Sequence, residues 1–284
     1  MSGGSDAPGM SNLQLRIVSA VVLAAVVLAL TWAGGTAFRV LCALMAAAIL
    51  LEWNAISAPR TEGDRIDANR IVALAGLGVT AVALIGGASA ATCLGLLALA
   101  VAATAIHAMV AGRDLWPAVG IFYAGFPAIG MSFLRGADWT GLVAILFLFA
   151  VVWATDILAY FVGRAVGGPK LAPAISPGKT QSGALGGAVG GVVAALLLML
   201  SMDTAAGLLG LGIVALLLSV VSQAGDLFES WVKRRHGVKD SGSMIPGHGG
   251  FMDRVDGLIA AAAALYLVGA GLGGPDSPAH GIFG

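Results

Sequence analysis

Charge is what this 284-residue chain has least of, with 15 basic and 15 acidic residues making 11% of the total, against about 25% in an average soluble domain. Together with 58% hydrophobic residues and a mean hydropathy of +0.94, that scarcity excludes an ordinary water-soluble enzyme. Only two cysteines occur, Cys42 and Cys93, each inside an apolar run. A disulfide framework is thereby excluded and a zinc site disfavoured. No G-x-S-x-G elbow and no H-E-x-x-H pair is present, so serine hydrolysis and zinc chemistry have no support. The charges cancel to zero, so the net value selects no partner.

Long apolar runs are what the chain has in abundance. A bilayer-spanning helix takes about 20 mostly apolar residues, and nine such spans are expected at 17–34, 36–56, 71–87, 88–110, 116–134, 139–163, 183–202, 205–225 and 257–274. The reading is an all-α, polytopic integral membrane protein. Alternating spans put thirteen of the fifteen basic residues on one side, with only Arg39 and Arg135 opposite. Short loops rich in Lys and Arg stay cytoplasmic, which puts the N-terminus inside and the C-terminal tail outside. Residues 1–16 form a polar cytoplasmic tail expected to be disordered. Membrane helices fill 17–134, and a catalytic membrane region with cytoplasmic loops at 164–182 and 226–256 fills 135–274, ahead of a short tail at 275–284. A cleaved signal peptide is the weaker reading of the first apolar run, which is long enough to span and is followed by further spans.

The few charges are unevenly spread. Asp226, Glu229, Lys233, Arg234, Arg235, Lys239, Asp240, Asp253, Arg254 and Asp256 place ten of the thirty within one short stretch. Asp226, Glu229 and Lys233, with Ser222 and Ser230, share a helical face at spacings of three and four. A carboxylate at membrane depth costs about 2.5–3.5 kcal/mol on insertion scales and normally faces a cavity or a partner. Asp253 and Asp256, one turn apart, open the last span, where helix capping alone would also explain them. Between the two acidic sites lie Gly242, Gly247, Gly249 and Gly250, whose backbone amides can converge on an anion beside Lys233, Arg234, Lys239 and Arg254. Acids that hold a hard cation next to bases that hold phosphates are what phosphoryl or nucleotidyl transfer requires, and they imply a divalent ion, magnesium.

A second, thinner concentration starts with Asp156, Tyr160 and Arg164 on one helical stripe, which an ion pair between packed helices would also explain. It continues through Lys170 to Ser176, Pro177, Gly178, Lys179 and Thr180. The last five resemble the end of a P-loop, but Pro173 stands where the first glycine should be and no strand is expected before it. Lys179 stays open as a phosphate ligand of another kind. Gly183, Gly187 and Gly191 repeat small-xxx-small spacing, which is a packing signal. His107, alone in an apolar span, reads as a satisfied core residue.

The residues from Ser230 to Asp256 carry a recognisable pattern. Ser230, Trp231, Val232, Lys233 and Arg234, then Lys239, Asp240, Ser241 and Gly242, then Ile245, Pro246, Gly247, His248, Gly249 and Gly250, then Asp253, Arg254, Val255 and Asp256 closely resemble the signature of the phosphatidate cytidylyltransferases. The segment Gly225 to Ser230 resembles the stretch that precedes the signature in bacterial members. Asp156 to Arg164, with Lys170 to Thr180, resembles an upstream block of the same family. The resemblance spans about 156–256, with two departures, Ser182 where many members carry Glu and Gly257 where Ser is common.

What the resemblance implies is transfer of CMP from CTP to phosphatidic acid, giving CDP-diacylglycerol and pyrophosphate for phospholipid synthesis at the inner, cytoplasmic membrane. It implies magnesium, with a second, monovalent cation such as potassium sharing the acidic cluster. Asp226, Asp253, Lys239, Arg254 and His248 become the catalytic candidates, with Asp226 and Asp253 on the metal and Asp256 as a further ligand or its support. Lys239, Arg254 and Lys179 would neutralise phosphates, while His248, Gly249 and Gly250 shape their pocket. Ser176, Thr180, Lys233, Arg234, Asp240 and Asp156 join Lys179 as substrate-binding candidates. The expected partners are the two substrates, the lipid bilayer and a second copy of the chain; no nucleic acid is expected. A CTP-dependent lipid or polyprenol kinase is the runner-up among enzymes, and a secondary transporter the alternative of another class.

Overall fold

The computed structural model describes residues 12–57, 68–202, 204, 206–245 and 249–284, with side chains from residue 18 onward. The expected polar tail before residue 12, Arg60, Arg65 and His248 lie outside the described residues.

The chain is a bundle of helices in the order α1 (Asn12–Ala33), α2 (Gly35–Ile56), α3 (Ala68–Ile85), α4 (Ala90–Val110), α5 (Trp116–Arg135), α6 (Trp139–Val166), α7 (Gln181–Leu200), α8 (Leu208–Arg235), α9 (Met252–Gly273) and α10 (His280–Phe283). A two-stranded antiparallel hairpin, β1 (Lys170–Ala172) with β2 (Ser176–Thr180), joins α6 to α7. Among the described residues eight helices, α2 to α9, are long and apolar enough to cross a membrane, and α1 carries a shorter apolar stretch, Val18–Ala33. Large apolar side chains such as Val82, Met109, Leu185, Leu209 and Leu272 are exposed around the outside, as lipid-facing surfaces require.

Glycine decides the closest helix contact. On α7, side chains at Gly183 and Gly187 would collide with the α6 backbone carbonyls of Ala159 and Thr155, and one at Gly191 with the Thr155 hydroxyl. The small-residue stripe therefore packs α7 onto α6 of the same chain and brings the hairpin over their common end. Polar contacts fasten the rest: Thr155 of α6 and Ser219 of α8 are hydrogen-bonded at 2.7 Å, buried between the helices. His107 meets Asn69 at 3.2 Å, the satisfied core role expected of it, and both cysteines are buried free thiols.

One basic residue assigned to the far side is wholly structural. Arg135, 3% exposed, donates to the carbonyls of Trp32 and Asp138 at 3.0 Å and also to that of Thr31. It closes the C-terminal end of α1, whose last carbonyls have no intrahelical donors.

Candidate active site

The site forms where α6, α7, α8 and the hairpin meet. A cavity of about 700 Å³ is lined by Asp156, Tyr160 and Arg164 from α6, Lys170 and Lys179 from the hairpin, and Gln223 and Asp226 from α8. The stripe read from spacing alone thus faces a cavity instead of pairing two helices internally. Along that stripe Arg164 donates to the Tyr160 hydroxyl at 2.9 Å, and Asp156 feels the charges of Asp226, Asp256 and Lys179. Ile157 and Phe161 on α6 and Leu185 on α7, each next in sequence to a lining residue, are exposed apolar side chains.

The P-loop-like stretch is the second strand of the hairpin. A short strand does precede Lys179, contrary to expectation, and Lys179 lies within β2 instead of in a loop that wraps phosphate. Its ammonium forms an ion pair with Asp226. Thr180 ends the strand and caps α7, its hydroxyl accepting from the Gly183 amide at 3.1 Å. Ser182, the departure from the family pattern, donates to the Gly167 carbonyl and so holds the turn into the hairpin.

Below the cavity the carboxylates form a layer. The eighth apolar run does not stop at Gly225 but continues as helix to Arg235, so Asp226, Glu229 and Lys233 project from successive turns of rigid backbone. Glu229 is fully buried, with Lys233 at 3.2 Å and Asp256 of α9 on its other side. Lys233 also bridges to Asp253. The second oxygen of Asp253 accepts the backbone amides of Ser241 at 2.9 Å and Gly250 at 3.2 Å, which ties the glycine-rich segment to the start of α9. A side chain at Gly250 would strike the Ser241 hydroxyl. Gly249, at φ +88° and paired with Ile245, turns the chain there.

Among the described residues no group of three or more His, Cys, Asp or Glu side chains forms a ready-made metal cage. Asp226 and Asp256 nevertheless act on each other's charge, and both present hard oxygen donors. Magnesium is commonly held by one or two carboxylates together with waters and substrate phosphates. This donor set fits an ion that arrives with a nucleotide.

Of the other expected residues, Ser176 is half-buried in β2, while Arg234, Lys239, Asp240 and Arg254 are exposed at the same end of the bundle. Arg234 reaches the Val238 carbonyl at 3.4 Å. An aromatic cluster joins α2, α5 and α8: Trp53 of α2 donates to the Trp116 carbonyl at 2.8 Å and its ring centre lies 4.9 Å from that of Tyr123, and Arg235 stacks over both Trp116 and Trp231. Burial beside Trp116 and the charge of Arg235 push the His236 imidazole below the usual histidine range.

Two contributors escaped the sequence reading. Gln223 lines the cavity one turn before Asp226 and donates to the Ala184 carbonyl at 3.3 Å. Glu52, on α2, is buried and accepts hydrogen bonds from the segment that leads into α9. A lone acid within an apolar span was the available signal for it.

Comparison with known proteins gives the family of the chain. Residues 14–271 match the family model described as the cytidylyltransferase family. Phosphatidate cytidylyltransferases of Brucella suis and Brucella melitensis are each 51% identical over 274 residues, covering 96% of this chain and 99% of theirs. The Bacillus subtilis phosphatidate cytidylyltransferase is 37% identical over 145 residues, covering 49% of this chain and 54% of its own.

Proposed function

From the chain's membership of the cytidylyltransferase family, we propose that the cavity between α6, the hairpin and α8 is where CTP and phosphatidic acid are joined to give CDP-diacylglycerol and pyrophosphate. The single observation that carries this placement is the convergence of Asp156, Arg164, Lys170, Lys179 and Asp226 on one space, whose lining helices α6 and α7 also carry exposed apolar side chains. A lipid headgroup can enter from the leaflet and a nucleotide from the aqueous side. The N-terminus and the basic loops face the cytoplasm of the inner membrane in this reading, as the distribution of Lys and Arg supports.

The chemistry asks little of a general base. A phosphate monoester has its second pKa near 6, so the lipid phosphate is already an anionic nucleophile at neutral pH. One of its oxygens bonds to the α-phosphorus of CTP while the bond to the β-phosphate oxygen breaks, and the electron pair leaves with pyrophosphate. The larger task is to hold two anions in line and neutralise the charge that builds on the leaving group. Lys179, Lys170 and Arg164 supply positive charge inside the cavity, and Lys239 and Arg254 are exposed basic residues outside its lining. The glycine-rich segment is pinned to Asp253 through the backbone amides of Ser241 and Gly250, and glycine-rich backbone of this kind can offer N–H groups to phosphate.

Asp226, Asp253 and Asp256 are the residues that would hold magnesium. When bound it supplies Lewis-acid neutralisation of the phosphate oxygens. Asp226 would exchange its ion pair with Lys179 for the ion, which frees Lys179 for phosphate.

Incubating the purified protein with CTP labelled at the α-phosphate, phosphatidic acid and magnesium tests the reaction. Label in a CDP-lipid with release of pyrophosphate is the expected result. Release of CDP, with a phosphorylated lipid, would instead identify a kinase.

A further inference from the structure

Glu52 sits in the N-terminal part of the chain, on α2, yet its carboxylate is spent on the segment that opens α9. One oxygen accepts from the amide of Phe251 at 2.8 Å, and the other accepts from the amide of Met252 and the hydroxyl of Ser241, both at 2.8 Å. Phe251, the residue before α9, provides no side-chain cap of its own. The first amides of a helix lack intrahelical acceptors and carry the positive end of its dipole. A carboxylate delivered from a distant helix satisfies both needs at once.

Ser241 links this anchor to the acidic layer. Its hydroxyl holds Glu52 while its amide holds Asp253, which in turn holds Lys233 and the amide of Gly250. The glycine-rich segment is thus clamped between two carboxylates, one on α9 and one on α2. Close approach is required on the α2 side, because a side chain at Gly242 would meet the Glu52 carboxylate.

We propose that Glu52 is a positioning residue for nucleotide binding. Through Ser241 it fixes the height of the glycine-rich segment and the orientation of Asp253, and so sets where the phosphate-facing amides stand. The inference rests on the reading that this segment binds the phosphates of CTP.

Glu52→Gln, Ser241→Ala and the double variant test it, each purified in lipid nanodiscs, with kcat, KM for each substrate, and hydrogen–deuterium exchange at residues 249–252. Outer supports of this kind typically cost about 10- to 100-fold in affinity or activity when removed. Glu52→Gln is therefore expected to lower kcat/KM for CTP by about that factor, leave KM for phosphatidic acid unchanged and speed exchange at the start of α9. Ser241→Ala should reproduce the kinetic loss, and the double variant should be no worse than the poorer single one, as two members of one linkage behave. Should Glu52→Gln fail to accumulate, Ser241→Ala alone decides, since it deletes one hydroxyl. Kinetics within about twofold of the parent overturn the proposal, as does a uniform loss in which both KM values move or the two single effects multiply. Lys239→Ala, run alongside, separates the two ideas. If it weakens CTP binding while Glu52→Gln does not, only the role of Glu52 fails; if neither matters, the phosphate-binding reading of the segment fails.

Discussion

Lys179 of β2 and Asp226 of α8 form an ion pair within the cavity wall. Both side chains keep about a third or less of their surface open, at 28% and 31%, so each can still be reached by another partner. A cation suited to Asp226 and an anion suited to Lys179 are the two things a magnesium–nucleotide complex brings together. The pair ties the hairpin to α8, and on the proposed reading its two halves would pass to the metal and the nucleotide.

Replacing Lys179 with Met should therefore remove a phosphate contact and leave Asp226 without its partner. Loss of one preorganised electrostatic group costs about 100-fold or more in turnover, and that loss is expected for Lys179→Met, with the protein still inserted in the membrane. Near-parental rates in the labelled-CTP assay would remove Lys179 from the site.

For Asp253→Asn the expected outcome is an enzyme that folds and inserts but turns over at least about 100-fold more slowly. The amide retains a carbonyl oxygen for the Ser241 and Gly250 amides but loses the charge that binds Lys233 and would bind the metal. Saturation with magnesium should not restore the rate. Recovery at high magnesium would mean that Asp253 only tunes affinity for the ion.

Metal removal gives a third check. Chelation with EDTA should abolish CDP-lipid formation, and added magnesium should restore it, while the melting temperature changes little because Lys179 and Lys233 already neutralise two of the carboxylates. A large drop in melting temperature on chelation would point to a structural ion instead.

Packing predictions lie away from the chemistry. Gly187→Val should force α7 off α6, and overpacking of this kind costs about 1–3 kcal/mol, read as a lowered melting temperature in detergent. Arg135→Ala should also destabilise, since each buried carbonyl left without a donor costs about 1–3 kcal/mol. Its specific activity per folded molecule should stay at the parental level, because Arg135 lies near the N-terminal end of α6, far along that helix from Asp156.

The helical elements were legible because hydropathy marks spans directly, and the acidic and basic groups were legible because charge is conspicuous in so apolar a chain. The hairpin was not, since Lys170–Ala172 and Ser176–Thr180 are too short to show an alternating pattern. The reach of α8 to Arg235 was missed because hydropathy ends where charge begins, although the helical backbone does not. Glu52 was out of reach for a different reason. Its partners lie 189 to 200 residues away, and nothing local to α2 announces that its one acid belongs to a loop near the other end of the chain.

Helices α6 and α8 are each 28 residues long, about 42 Å at about 1.5 Å per residue, whereas the hydrocarbon layer is about 30 Å thick. With the helices upright in the bilayer, the surplus of about 12 Å would carry Arg164 and Lys233, both in the last turn of their helix, to the level of the lipid headgroups. An acceptor lipid can then react while its tails stay dissolved in the leaflet. Extraction, which costs about 0.8 kcal/mol for every methylene withdrawn, is never required. On the proposed reading the soluble substrate comes to the insoluble one, and the energy of the encounter need not include withdrawing the tails.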